Sequence, residues 1–233
     1  MFPSDSLIFQ TAFWSAATIV LYYVSKRIYG RWPKPYLSPL LLAPLFLILI
    51  ALAMNTGYAE YIHATHWLML LLGPVTVAFA IPIYEQRAMI RRYWPVLAFG
   101  VTVGSTTAMV TAWALASLLS IDGALRLSLL PRSISTPFAM TISQDIGGVP
   151  DLTAVFVVLT GVLGAALGET LLRYLPLKSS LARGALFGMG AHGAGVARAH
   201  QIGQEEGSIA GLVMVIVGLV NVLVAPVLAM LLR

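Results

Sequence analysis

The chain has no cysteine among its 233 residues, which excludes disulfides and thiolate metal centres. Charge is nearly as scarce. Asp, Glu, Lys and Arg together make up 10% of the residues, where a soluble domain carries about a quarter. The opening MFPSDSLIFQ holds Asp5 and no basic residue, so it lacks the basic start of a cleaved signal peptide and the first apolar run is expected to be retained. There is no Walker motif, which argues against ATP-driven transport within this chain. Gly-x-Ser-x-Gly is missing too.

What is abundant is apolar. Hydrophobic residues make up 59% of the chain, and the mean hydropathy is +0.88. Several runs approach the ~20 residues that cross the hydrocarbon core of a bilayer. The expected fold is an all-α polytopic membrane protein, a single integral membrane transport domain over residues 1–233, in the cell (inner or plasma) membrane. The pI of 9.7 does not point to nucleic acid. The basic residues fall in short loops between apolar runs, as the positive-inside rule requires.

The expected spans are residues 7–25, 36–54, 67–84, 93–120, 152–172 and 208–232. Three basic loops separate them. The first holds Lys26, Arg27, Arg31 and Lys34, with Pro33 and Pro35 marking a turn. The second holds Arg87, Arg91 and Arg92, and the third Arg173, Lys178 and Arg183. Placing these loops in the cytoplasm puts the N-terminus outside. Residues 55–66, with Glu60, His63 and His66, then form an outside loop, as does IDGALR. In span 3, Gly73-Pro74 predicts a break at Gly73, because proline removes an intrahelical hydrogen bond.

Two stretches fit no simple span. Residues 127–150, LSLLPRSISTPFAMTISQDIGGVP, carry Arg132, Ser133, Ser135, Thr136 and two prolines in an otherwise apolar setting. Ser135-Thr136-Pro137 is a helix-start signal, so a half-helix should run to about Asp145 and end at Gly147-Gly148. Residues 183–204 hold five glycines between Gly184 and Gly195, together with His192, Arg198 and His200. That is too much glycine for a stable uninterrupted helix, at ~1 kcal/mol each relative to Ala. The charge map therefore favours about six full spans plus two re-entrant or broken-helix elements meeting near the midplane. The alternative is eight crossings, which a weak internal repeat supports: VAFAIPIYEQ (77–86) echoes TPFAMTISQD (136–145).

An ionisable group at membrane depth marks a functional site by default. Arg132 stays charged at any relevant pH. The half-helix beside it would offer free N–H groups and a positive dipole end, and Ser133, Ser135 and Thr136 add hydroxyls. That set suits a small organic anion; the plainer reading is an arginine snorkelling to the interface. His192 can exchange a proton near neutrality, and Gly193 beside it lets backbone approach a ligand; the plainer reading is a packed glycine cluster. Arg198 is either a ligand or a cytoplasmic flank. Gly73, Pro74 and Thr76 form either a binding break or an ordinary membrane kink. Asn221 is either a cavity group or interhelical glue. Glu169 reads as interfacial.

Three segments carry a resemblance. LLGPVTVAFAIPIYEQ, LLPRSISTPFAMTISQDIGGVPDLTAVFVVLTGVLGAALG and RGALFGMGAHGAGVARA resemble, in order, the signature segments of the LrgB/CidB family, and the likeness covers nearly the whole chain. That family includes bacterial proteins named for modulating murein hydrolases and autolysis, and the membrane domain of the plant plastidal glycolate/glycerate transporter. Some bacterial members, paired with a small LrgA/CidA-type partner, are associated with pyruvate uptake. The family often has Lys where this chain has Arg132, which exchanges a compact ammonium for a bidentate fork.

The resemblance and the residues together imply a secondary transporter of small monocarboxylates such as glycolate, glycerate or pyruvate, coupled to protons or sodium and needing no cofactor or metal. The alternative is a holin- or antiholin-like modulator of murein hydrolases. It would act with an LrgA/CidA-type partner or as a homo-oligomer, through the glycine faces at Gly164 with Gly168 and Gly184 with Gly188. An intramembrane hydrolase using Ser133 or Ser135 with His192, or Asp145 with Asp151, is disfavoured, since both aspartates fall at a membrane edge. The chain is therefore read as no enzyme.

Overall fold

Apolar runs in lipid must satisfy their backbone internally, so they become helices. A computed structural model describes residues 5–32 and 34–232; Pro33, assigned above to a turn, lies outside the described residues. No strand occurs among the described residues. Five stretches are long and apolar enough to cross a membrane: Ile8–Arg31, Tyr58–Glu85, Arg87–Leu118, Pro150–Tyr174 and Gln204–Met230. Pro39–Ala53 is a shorter apolar helix. The chain is an all-α polytopic membrane protein, and it divides into two compact units, Met1–Ala78 and Phe79–Arg233.

The first unit contains α1 (Asp5–Arg31), α2 (Pro39–Ala53), α3 (Tyr58–Leu70) and α4 (Leu72–Ala78). Its seam is aromatic and hydrogen-bonded. Trp14 packs edge-on against Tyr61 at 5.4 Å, and the Trp67 indole N–H donates to Ser15 Oγ at 2.8 Å. The expected outside loop at residues 55–66 is corrected here. Only a short turn precedes α3, and His63 and His66 lie on that helix. The break falls at Leu71, not Gly73. Pro74 then sits in the first turn of α4, where its missing N–H costs least.

The second unit contains α5 (Ala80–Glu85), α6 (Arg87–Leu118), α7 (Gly123–Leu129), a 3-10 turn (Leu130–Ser133), α8 (Thr136–Ile146), α9 (Pro150–Tyr174), α10 (Ser180–Ile202) and α11 (Gln204–Leu232). The second basic loop is also corrected. Arg87, Arg91 and Arg92 form the first turns of α6, which kinks at Tyr93 (φ −114°, ψ 15°) two residues before Pro95. IDGALR is largely helical as well, since Ala124, Leu125 and Arg126 belong to α7. The echoed segments differ in form: VAFAIPIYEQ crosses a break at Phe79, whereas TPFAMTISQD runs unbroken in α8.

Two elements in this unit turn back on themselves. In the first, Ser128 of α7 lies beside the end of α8: Val149 N–H donates to Ser128 Oγ at 2.7 Å. The chain between them descends through the 3-10 turn, reverses at Ile134-Ser135 and returns as α8. The second is α10. Its backbone leaves helical geometry at His192 (φ 42°, ψ −122°). A Cβ on Gly195 would strike the Phe187 carbonyl, which a straight helix holds about 12 Å away, eight residues back. The two limbs of α10 are therefore folded together.

These hairpins enter from opposite ends of α9. The first is fixed near the start of α9. The second runs antiparallel to it, with Phe187 against Gly168, Gly190 against Gly164 and His192 against Gly161. Gly161 lies roughly 16 Å along α9, and α8 is about as long, so the two tips reach similar depth. The glycine faces proposed above for partner association are corrected by this packing. Gly164 and Gly168 abut α10, while Gly184 and Gly188 abut Ile209 and Ala210 of α11. They let helices of this chain approach one another, and that leaves them no free face.

Candidate functional site

The first hairpin is built from its base. Ser128 donates to the Ala124 carbonyl at 2.7 Å. The Thr153 hydroxyl lies 2.7 Å from Ser143 Oγ and 3.0 Å from the Ser128 carbonyl. All three side chains are fully buried, so the hydroxyls stitch α7, α8 and α9 together without reaching solvent. Gly147 closes α8 in the left-handed conformation (φ 88°), and Gly148 N–H bonds the Ser143 carbonyl at 2.7 Å. This base fixes where the tip must fall.

At the tip stand Arg132, Ser133, Ser135 and Thr136. Arg132 is half-buried. Among the described residues it has neither an ion pair nor a hydrogen bond, while Arg126, Arg173, Arg183 and Arg198 all have acidic partners. Ser135 occupies the N-cap of α8 with extended backbone (φ −61°, ψ 144°), yet its hydroxyl caps nothing. Ser135 Oγ is buried without a partner. A buried polar atom left unpaired costs about 1–3 kcal/mol, so this tip is assembled at an energetic cost.

The second tip is His192. It is 3% exposed, its Nε2 is buried with no partner, and its ring faces α9 at Gly161. Its positive φ is unusual outside glycine. The 3-10 turn that carries Arg132 packs against α10, so the structure brings the two tips together, each with a buried polar atom that has no partner, Ser135 Oγ on one and His192 Nε2 on the other.

A cavity of about 300 Å³ adjoins both tips. Ser133 and Ile134 of the first hairpin line it, with Met189 and Gly190 of α10, Ser105 of α6 and Asn221 of α11. Asn221 Nδ2 donates to Ser105 Oγ at 2.8 Å and to the Val217 carbonyl at 2.7 Å. It thus serves both as interhelical glue and as cavity wall. Nothing in the residue pattern singles out Ser105 or Met189. A hydroxyl on a Ser/Thr-rich membrane helix has the composition of a packing face, and only the tertiary fold points it inward.

Arg198 lies on the second limb of α10, away from its tip. It pairs with Glu169 of α9 at 2.8 Å and also donates to Gln201 Oε1. Gly193 is exposed, with open space where a Cβ would project. Gly73, Pro74 and Thr76 belong to the other compact unit, and Thr76 Oγ1 is taken up by the Leu72 carbonyl at 2.7 Å. Asp145 and Asp151 are exposed at helix ends. No cluster of potential metal ligands occurs among the described residues.

Residues 18–231 match the LrgB-like family. YwbG of Bacillus subtilis is 38% identical over 209 residues, which cover 90% of this chain and 93% of that protein. The "Holin-like protein CidB" of Staphylococcus epidermidis is 32% identical over 214 residues, or 92% of this chain and 93% of that protein. The protein of the same name in Staphylococcus aureus is 29% identical over an equal length. No solved structure matches the chain significantly.

Proposed function

The chain belongs to the LrgB-like family, and from that premise we propose that it is a holin-like membrane protein that modulates murein hydrolase activity and autolysis. It works as one integral domain in the cell membrane, with its N-terminus outside, alongside a small LrgA/CidA-type partner. The observation that carries this reading is the likeness to holin-like CidB proteins along nearly the full length of both chains. Such a likeness is not one borrowed segment; the family match over residues 18–231 takes in both hairpins and four of the five long apolar helices in full. With its glycine faces used internally, the partner surface lies on the exposed apolar helix faces.

A second reading has its own observation. Arg132 is a half-buried cation without an ion pair at the tip of the first hairpin, and each tip holds a buried polar atom that also lacks a partner. Such an arrangement favours an anionic guest. On this reading the chain is a secondary transporter of a small monocarboxylate, glycolate, glycerate or pyruvate, driven by protons or sodium. Arg132 holds the carboxylate, Ser135 and the start of α8 donate to it, and His192 closes the site from the other hairpin.

Proteoliposomes holding the full chain, with and without the partner, separate the two. Dye leakage and labelled pyruvate uptake are measured in parallel. The holin-like reading expects leakage that depends on the partner and no saturable uptake. The transport reading expects saturable uptake that falls at least tenfold in Arg132→Ala. Uptake unchanged in both Arg132→Ala and His192→Ala would remove the proposed site.

A further inference from the structure

A hydroxyl on a membrane helix can spend its proton on the carbonyl one turn back. Thr65, Thr76 and Thr111 all do so. Ser105 and Thr107 of α6 and Ser133 of the 3-10 turn do not, and among the described residues none of these three hydroxyls donates a hydrogen bond. All three line the same cavity. Asn221 lines it as well and is only 3% exposed. Its Nδ2 donates to Ser105 Oγ at 2.8 Å and to the Val217 carbonyl at 2.7 Å. A carbonyl can only accept, so this pairing fixes the amide's orientation and uses both of its protons. What remains is Oδ1, an acceptor with no donor among the described residues.

The rest of the wall is apolar, from Ala108, Met109, Leu130, Met189 and Val217. No ionisable side chain lines the cavity among the described residues, so a charged occupant would be buried without a counter-charge. The volume of about 300 Å³ is far above the ~30 Å³ share of one water. It falls at the lower end of small-ligand sites, which are mostly apolar with a few placed polar groups. We propose that this cavity binds a small uncharged molecule with an apolar body and a hydroxyl, of the class of aliphatic alcohols. Asn221 Oδ1 accepts from the ligand hydroxyl, and Ser133 donates to it. Met189 is the adjustable part of the wall: its flexible thioether lies against Gly104, where a Cβ would overlap Sδ. Neither Arg132, Ser135 nor His192 lines this site, so it is separate from the charged tip and rests on neither reading of the flux. Its wall comes from α6, α11 and both hairpins, and an occupant touches all four at once.

The test uses the full chain in lipid nanodiscs and three photoreactive probes, an octanol, an octane and an octanoate that each carry a diazirine. They are compared at equal mole fraction in the lipid, and adducts are placed by mass spectrometry. The alcohol should label Met109 and Met189, and excess hexanol should compete it away. The alkane should label these residues about fivefold less, the worth of one neutral hydrogen bond, and the carboxylate less again. Asn221→Leu should bring the alcohol down to the level of the alkane. Ser133→Ala breaks no hydrogen bond present in the structure, so it tests the same point if the Asn221 variant does not fold; it should lower alcohol labelling and leave alkane labelling unchanged. Equal labelling by alkane and alcohol would identify a space filled by lipid tails and overturn the assignment. Equal labelling by the carboxylate would overturn the uncharged class, and no adduct on any cavity residue would remove the site.

Discussion

At the scale of single residues, neighbouring glycines carry different roles. Gly195 sits where the limbs of α10 close, and a Cβ there meets the Phe187 carbonyl and lies 2.9 Å from Ala191 Cβ. Gly193 faces open space. Gly195→Ala should destabilise the fold by about 1–3 kcal/mol, the usual cost of overpacking, whereas Gly193→Ala should leave stability nearly unchanged. Thermal unfolding of both variants in the same detergent checks the contrast. Sequence alone could not separate these positions, because both are glycines of one GAHGAG motif and both follow His192 closely. Arg132 and His192 themselves were legible, since ionisable groups stand out against an apolar background. Ser105 and Met189 were not, because their roles depend on which helix faces them.

At the scale of elements, the second limb of α10 is held to α9 by Glu169 and Arg198, and its first limb to α11 by Arg183 and Glu206 at 3.7 Å. The Glu169–Arg198 pair is partly solvated, with side chains 39% and 27% exposed. Its coupling energy should therefore be modest, about 0.2–1 kcal/mol. A double-mutant cycle of Glu169→Ala and Arg198→Ala, read by thermal unfolding, should give a value in that range. The cycle also settles the role of Arg198. If it acts as a latch, each single variant has the same functional phenotype and the double adds nothing. If it is a ligand, Arg198→Ala loses ligand binding while Glu169→Ala keeps it.

Element positions were more legible than element ends. The start of α8 at Ser135-Thr136-Pro137 and its stop at Gly147 follow from local chemistry, proline in the first turn and a left-handed glycine after the last. The reversal in α10 was visible as an excess of glycine. The helical character of residues 58–66 and 87–92 was not, because polar and charged side chains in a short connection suggest a loop. A helix can run past the hydrocarbon into the headgroup region while its backbone bonds continue unbroken.

At the scale of the whole molecule, the distribution of basic residues predicts an orientation that can be measured directly. The chain has no cysteine, so single cysteines report one position each. Glu60→Cys should react with a membrane-impermeant maleimide on intact cells. Lys178→Cys should react only after the membrane is opened. The reverse pattern would place the N-terminus in the cytoplasm and invert the assignment of all three basic clusters. The polytopic all-α character was legible from hydropathy, although of the six expected spans five are long and apolar enough to cross and Pro39–Ala53 is shorter; the inward turning of two elements was legible from their mixture of polar, glycine and proline residues. That they reach the same depth could not be read from composition, because it depends on where each hairpin is tethered along α9.

The stitching of Ser128 and Ser143 to Thr153 has a consequence for biogenesis. Until α9 has emerged from the ribosome, the Val149 and Thr153 partners of those hydroxyls do not exist, and the descending chain before α8 has only α6 as a protein wall to shield its polar backbone from lipid. Nor can the limbs of α10 settle before α11 arrives to cover Gly184 and Gly188. The two hairpins are thus late arrivals, admitted to the bilayer by helices synthesised after them, and membrane insertion of this chain cannot proceed strictly in the order of translation.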